Sequence, residues 1–138
     1  MNRHPYLRAY LAGIAFPTVF LLVFMAGYTV FRFVYNVPVP IERVIIFPAA
    51  AVPNLWGLWN AVYAAAGLAR RNVPLGLYGA ILPLLLAPVG YGVARLLDFP
   101  FPSIVWTAFP FVFPAVLVMY YFVWKHLVGF LNRELGVA

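Results

Sequence analysis

Four long apolar segments constrain the fold of this chain more than any other feature of its sequence. They run from about Tyr10 to Phe31, Val44 to Leu68, Leu75 to Ala94 and Ile104 to Phe130. The apolar core of a bilayer is about 30 Å thick, and a helix needs roughly 20 residues to cross it. The segments are apolar on all sides, whereas the strands of a membrane barrel alternate in polarity over about 10 residues. The sequence therefore predicts four transmembrane helices.

The composition excludes a water-soluble domain. Of the 138 residues, 66% are hydrophobic and 9% are charged, whereas an ordinary globular chain has roughly 45–50% and about 25%. A chain of this length cannot bury so much apolar surface in a core of its own. The absence of cysteine excludes thiol catalysis, disulfides and Cys-ligated metal sites. We expect an all-α integral membrane protein with one four-helix domain over residues 1–138.

The distribution of basic residues predicts the orientation. Nine Lys and Arg side chains oppose three acids, which gives a net charge of +6. They occur singly or as one pair, so we expect no nucleic-acid partner. The side of the membrane that holds both termini would carry six of them, and the other side three, which are Arg32, Arg43 and Arg95. Because Lys and Arg are enriched in cytoplasmic loops, we expect both termini in the cytoplasm and an inner or plasma membrane location.

A motif in the two outer loops indicates an internal repeat. The pattern Asn/Asp-x-Pro-x-Pro, then six residues and Phe-Pro, begins at Asn36 and again at Asp98, 62 residues later. We interpret the chain as two tandem helical hairpins, about 7–71 and 72–134, inserted the same way round as parallel repeats. The alternative is chance, because Pro favours helix starts and both Pro and Phe occur 13 times.

The second helix carries the most unusual polar side chains. An Asn amide in hydrocarbon is costly without a partner. Helical spacing places the small residues Ala50, Gly57 and Ala61 on one face with Asn54, which predicts a close helix contact. A second face, formed by Trp56, Asn60 and Tyr63, either packs within the protein or faces a ligand or a polar route.

Two further patterns yield candidate contact residues. On the third helix, the small residues Gly76, Ala80, Ala87 and Gly90 share one face with Pro83, which predicts packing on another helix. Arg32 and Arg95 end the first and third helices on the same side. They either extend to headgroups or contact a bound anionic group.

The sequence predicts no catalytic site. It contains no phosphate-binding loop, no Gly-x-Ser-x-Gly and no His-Glu-x-x-His, and its acids fall at the ends of the apolar segments. We therefore expect neither an enzyme nor a cofactor or metal.

The function we expect is a non-catalytic helix-packing module, such as a subunit, assembly factor or scaffold, with the lipid bilayer, other membrane subunits or a second copy as partner. The alternatives are a small oligomeric transporter or channel with a polar route along the second helix, and a binder of a lipid, quinone or pigment.

Overall fold

A computed structural model describes residues 4–36, 49–98, 101 and 103–137 of the protein. The regular secondary structure of these residues is all helical, and they contain no β-strand. Helix α1 is Pro5–Val34, α2 is Val52–Ala65, α3 is Leu75–Leu96 and α4 is Ser103–Glu134. Within α4, the π turn Trp124–Val128 separates α-helical Ser103–Val123 from α-helical Gly129–Glu134. The prediction of an all-helical fold is confirmed.

Three of the described helices, α1, α3 and α4, are long and apolar enough to cross a membrane, with mean hydropathies of 2.1, 1.7 and 1.8. Large apolar side chains such as Leu22, Leu96 and Phe111 are 70%, 86% and 79% exposed. Such a surface is stable only against apolar surroundings. The chain is therefore associated with a membrane through these helices.

The second predicted helix is described only in part. Helix α2 has 14 residues and follows a short π turn over 49–51. The predicted start at Val44, the first Pro-x-Pro segment and Arg43 lie outside the described residues, as does Arg3. Of the second Pro-x-Pro segment, only Phe101 is described.

Each helix is followed within two residues by a residue in the left-handed conformation. Asn36 follows α1 with φ 54°, Gly67 follows α2 with φ 62°, Asp98 follows α3 with φ 50° and Gly136 follows α4 with φ 64°. Glycine adopts this conformation without steric cost, and Asn and Asp tolerate it better than other side chains. After α4, the Val137 amide donates to the Asn132 carbonyl at 2.8 Å, which closes the helix end.

The helices pack as α1 on α2 and α3 on α4, and the last turns of α4 also contact α1. We call the end that holds the start of α1 and the last turns of α4 the terminal end, and the opposite end the loop end. The Arg8 guanidinium donates to the Leu135 carbonyl at 3.3 Å, so the first and last helical turns are adjacent. Buried residues cluster toward the terminal end, whereas Ser103–Val123 of α4 contains none.

Glycines allow the close approach of the helices. A Cβ atom added at Gly57 would lie within 2.6 Å of the Tyr10 ring, and one at Gly76 within 2.9 Å of Tyr121. At Gly79 the added atom would lie 2.0 Å from Cγ of Trp124. Within the bilayer the hydrophobic effect does not drive helices together. Close van der Waals contact of this kind is therefore a main source of their association.

We expect Gly79→Ala to lower the free energy of unfolding by about 1–3 kcal/mol, because the new methyl group overlaps the Trp124 ring. Gly92→Ala on the same helix is the matched control, since an added Cβ there meets nothing within 4 Å. It should be neutral or stabilise α3 by up to about 1 kcal/mol. Reversible unfolding in mixed micelles measures both variants, and equal effects would contradict the packing at Gly79.

Candidate functional site

A pair of buried amides joins three parts of the chain at the terminal end. Asn60 of α2 and Asn132 of α4 are 0% and 1% exposed. The Asn60 amide donates to the Ala9 carbonyl and to Oδ1 of Asn132, both at 2.7 Å. Asn132 Nδ2 donates in return to Oδ1 of Asn60 at 3.1 Å. The pair gives each amide a partner away from water, which removes most of the cost of burying it.

Glycine on α1 makes this arrangement possible. A Cβ atom added at Gly13 would lie 2.9 Å from Cβ of Asn60 and 2.6 Å from the Trp56 carbonyl oxygen. Only a residue without a side chain lets the two backbones come this close. Asn60 can then reach the Ala9 carbonyl one turn before Gly13, although that carbonyl lies in the helix backbone.

A cluster of aromatic side chains lies next to the amide pair. We call Trp56, Trp59, Tyr63, Tyr78, Tyr120 and Trp124 the aromatic cluster. The Trp56 ring lies 4.9 Å from Tyr120 and 5.3 Å from Trp124, and Trp59 stacks on Tyr78 at 4.7 Å. Tyr63 lies 5.1 Å from Tyr78. These spacings are those of favourable ring pairs, so the cluster connects α2, α3 and α4 by direct packing.

The polar atoms of the cluster are mostly used within it. Trp56 Nε1 donates to the Tyr120 hydroxyl at 3.2 Å, and the Tyr63 hydroxyl donates to the Val73 carbonyl at 2.7 Å. Trp59 and Tyr78 form two reciprocal hydrogen bonds. The Trp59 indole donates to the Tyr78 carbonyl at 3.1 Å, and the Tyr78 hydroxyl donates to the Trp59 carbonyl at 3.0 Å. The exception is Trp124, whose buried indole N–H has no partner among the described residues.

The two predicted faces of α2 have different surroundings. Trp56, Asn60 and Tyr63 are all buried in contacts with other helices. Asn54 is exposed, where it accepts a hydrogen bond from the Tyr10 hydroxyl and donates to the Ala50 carbonyl at 2.7 Å. The structure thus brings Trp56, Asn60 and Tyr63 together in the core and places Asn54 apart from them.

The predicted small-residue faces are packed at some positions and open at others. Gly57 and Gly76 are buried against Tyr10 and Tyr121. Half-buried positions are Ala61, Ala80, Ala87 and Gly90, whereas Ala50 is exposed. Ala87 and Gly90 line a pocket of about 290 Å³ between α3 and α4.

The two candidate anion-contacting arginines lie on separate helices. Arg32 is half-buried in the last turn of α1, with its guanidinium 5.8 Å from the centre of the Phe33 ring. Arg95 is exposed in the last turn of α3. No described contact joins the two.

An apolar groove opens between α3 and α4 near the loop end. We call it the loop-end groove, and its volume is about 640 Å³. Its lining residues are Leu84, Ala87, Pro88, Tyr91, Phe101, Trp106, Phe109 and Phe113. Three of the rings, Tyr91, Phe101 and Trp106, contact one another at 5.6–5.9 Å. The volume falls in the range of roughly 300–1,000 Å³ that is usual for ligand pockets.

Neither arrangement provides the groups of a reaction centre. The loop-end groove is lined by hydrocarbon and aromatic side chains, and the amide pair has no nucleophile or general base. Across the part of the chain that is described, no group of three or more His, Cys, Asp or Glu could hold a metal ion. What these residues can do is pack, bind an apolar group and fix the relative position of helices.

Sequence reasoning missed Asn132, Tyr78 and Trp124. Asn132 lies beyond the predicted end of the fourth helix at Phe130, where an amide is expected to face water and headgroups. The signal that could have identified Asn132 is the small number of side-chain amides, since the chain has six asparagines and no glutamine. A buried Asn60 therefore has few amides to pair with.

We expect Asn60→Leu and Asn132→Leu each to destabilise the fold by about 1–3 kcal/mol, because each leaves the opposite amide buried without its partner. The double variant should cost less than the sum of the two, since it removes both unpaired groups. Asn54→Leu is the control and should cost less than about 1 kcal/mol, because the hydrogen bonds of Asn54 lie at an exposed position and their loss leaves no buried amide unpaired. A double-mutant cycle from unfolding in mixed micelles measures the coupling, and additive effects would contradict the pair.

Comparison with known protein families, curated proteins and solved structures finds no match to this chain. No relative therefore contributes a function.

Proposed function

We propose that the chain is a non-catalytic membrane module, a subunit, assembly factor or scaffold, that presents helix faces at its loop end to other membrane proteins. The observation that carries this proposal is the contrast along α4. Its last turns hold the buried residues Trp124, Val128, Gly129 and Asn132, whereas Ser103–Val123 holds none. The last turns of the helix are buried in the fold together with the packed rings of Tyr120 and Tyr121, and most of the segment before them is available to a partner.

The contacts of the polar side chains support a packing role. Asn60, Tyr63 and Trp56 form hydrogen bonds with protein groups inside the bundle. Each such bond between membrane helices contributes about 0.6–2 kcal/mol, which suits residues that hold helices in one register. A transporter would need polar groups along an open route, and this placement favours packing instead.

We propose four crossings, arranged as two hairpins that face the same way, with both termini in the cytoplasm. The pairing of α1 with α2 and of α3 with α4 supports the hairpins. Asn36 and Asp98, which begin the two copies of the motif, share the left-handed conformation after α1 and α3.

This topology is testable with single cysteines, because the natural chain has none. In intact cells, a membrane-impermeant maleimide should label Tyr35→Cys and Leu96→Cys but not Ala66→Cys. All three positions are exposed, so all three should react after the membrane is permeabilised. Labelling of Ala66→Cys in intact cells together with protection of the other two would reverse the orientation, and labelling of all three would contradict the hairpins.

The partner surface is testable by photo-crosslinking in native membranes. A photoreactive residue at Phe111, on the unburied half of α4, should give discrete protein adducts. The same residue at Leu127, which is 43% exposed near the terminal end, is the control and should give few or none. Adducts to lipid alone at both positions, with a monomeric protein after mild extraction, would contradict the proposal. A small lipid-soluble molecule retained at stoichiometric amount would instead favour a ligand-binding function of the loop-end groove.

A further inference from the structure

Another pocket, at the terminal end, differs from the loop-end groove in its chemistry. Its volume is about 200 Å³, and we call it the terminal pocket. One wall is the connection between α2 and α3, with Gly67, Ala69 and Arg70. The other wall is the end of α4, with Asn132 and Val137. Tyr63 and Ala64 of α2 complete the lining.

Asn132, one of the residues that line the terminal pocket, has an unused hydrogen-bond donor. The Asn60 amide donates to the Ala9 carbonyl, which can only accept, and this fixes the orientation of both amides. Asn132 Nδ2 therefore faces Oδ1 of Asn60 with one N–H. A primary amide has two N–H groups, and the second one of Asn132 has no partner among the described residues. Asn132 is 1% exposed and lines the pocket, so a group bound there can accept a hydrogen bond from it.

The surroundings of the terminal pocket are positively charged. Arg70 lines the pocket, and its guanidinium forms no ion pair or hydrogen bond with any described residue. Arg8 donates to the Leu135 carbonyl and so lies against the same turn as Val137. Among the described acids only Glu134 belongs to this end, and it is exposed. Arg70 is exposed, so its guanidinium is free to turn toward the pocket. A cation at the rim and a buried N–H donor together favour a small anion.

We propose that the terminal pocket binds a phosphate group, with Arg70 as the counter-charge and the free N–H of Asn132 as a hydrogen-bond donor. The pocket is too small for a whole lipid or nucleotide, but it holds a phosphate with a few waters, each of which takes about 30 Å³. The group can belong to a lipid headgroup or to free phosphate. A headgroup fits the location, because basic residues at the end of transmembrane helices lie at headgroup level.

The test uses the full chain in a maltoside detergent, which carries no phosphate, with the thermal unfolding midpoint as the readout. Phosphatidylglycerol is added in one arm and inorganic phosphate in the other. Diacylglycerol and an equal ionic strength of chloride are the controls without phosphate. A ligand that binds only the folded state raises the midpoint. We expect the wild-type midpoint to rise with phosphatidylglycerol and not with either control.

Two arginine variants give the matched comparison. Arg70→Gln should weaken phosphatidylglycerol binding about tenfold, since it removes a charged hydrogen-bond partner. Arg71→Gln makes the same change of charge at an exposed neighbour that does not line the pocket, and it should bind as the wild type does.

The outcomes separate the two sources of phosphate and can overturn the proposal. A shift with phosphatidylglycerol alone assigns the pocket to a headgroup, and a shift with inorganic phosphate assigns it to the free anion, provided in each case that Arg70→Gln loses the shift. No shift in either arm would overturn the proposal, as would equal losses in Arg70→Gln and Arg71→Gln.

Discussion

The hydrogen bonds of the Asn60 side chain are the interaction on which the rest of the structure depends. Through one amide, α2 is bonded to the backbone of α1 and to the side chain of Asn132 on α4. In hydrocarbon, helices slide past one another at little cost because every apolar face is equally well solvated by lipid. A buried amide changes this, since it is satisfied in only one register. The glycine at position 13 and the aromatic cluster then pack around a geometry that the amide has already specified.

The two ends of the molecule differ in how completely they are packed. At the terminal end, rings and small residues of all four helices are in contact, and nearly every polar atom of the aromatic cluster has a partner within the protein. Toward the loop end, α3 and α4 leave the loop-end groove between them, and the faces of α4 are open. Such a molecule can hold its own fold with one half and remain open to association with the other.

The sequence predicted the helices better than it predicted their contacts. Uniformly apolar runs specify transmembrane helices, and the third helix begins at Leu75 as expected. The grouping of Trp56, Asn60 and Tyr63 on one face followed from helical spacing alone, and all three are buried. Which helix that face meets could not be predicted, because in a chain with apolar residues on every side the hydrophobic pattern does not point toward the core. Asn132 was missed for a different reason, because its position near the membrane surface made a water-exposed amide the ordinary interpretation.

The π turn at Trp124–Val128 has a consequence for how α4 serves both ends of the molecule. A π turn closes its hydrogen bonds over one more residue than an α turn does. One residue corresponds to about 100° of rotation in an α-helix. The turn therefore changes the direction in which the following side chains point, and with it Trp124, Val128 and Asn132 all face the interior of the bundle. Loss of a single residue here would leave the length and hydropathy of the segment almost unchanged, yet it would swing the amide away from its partner.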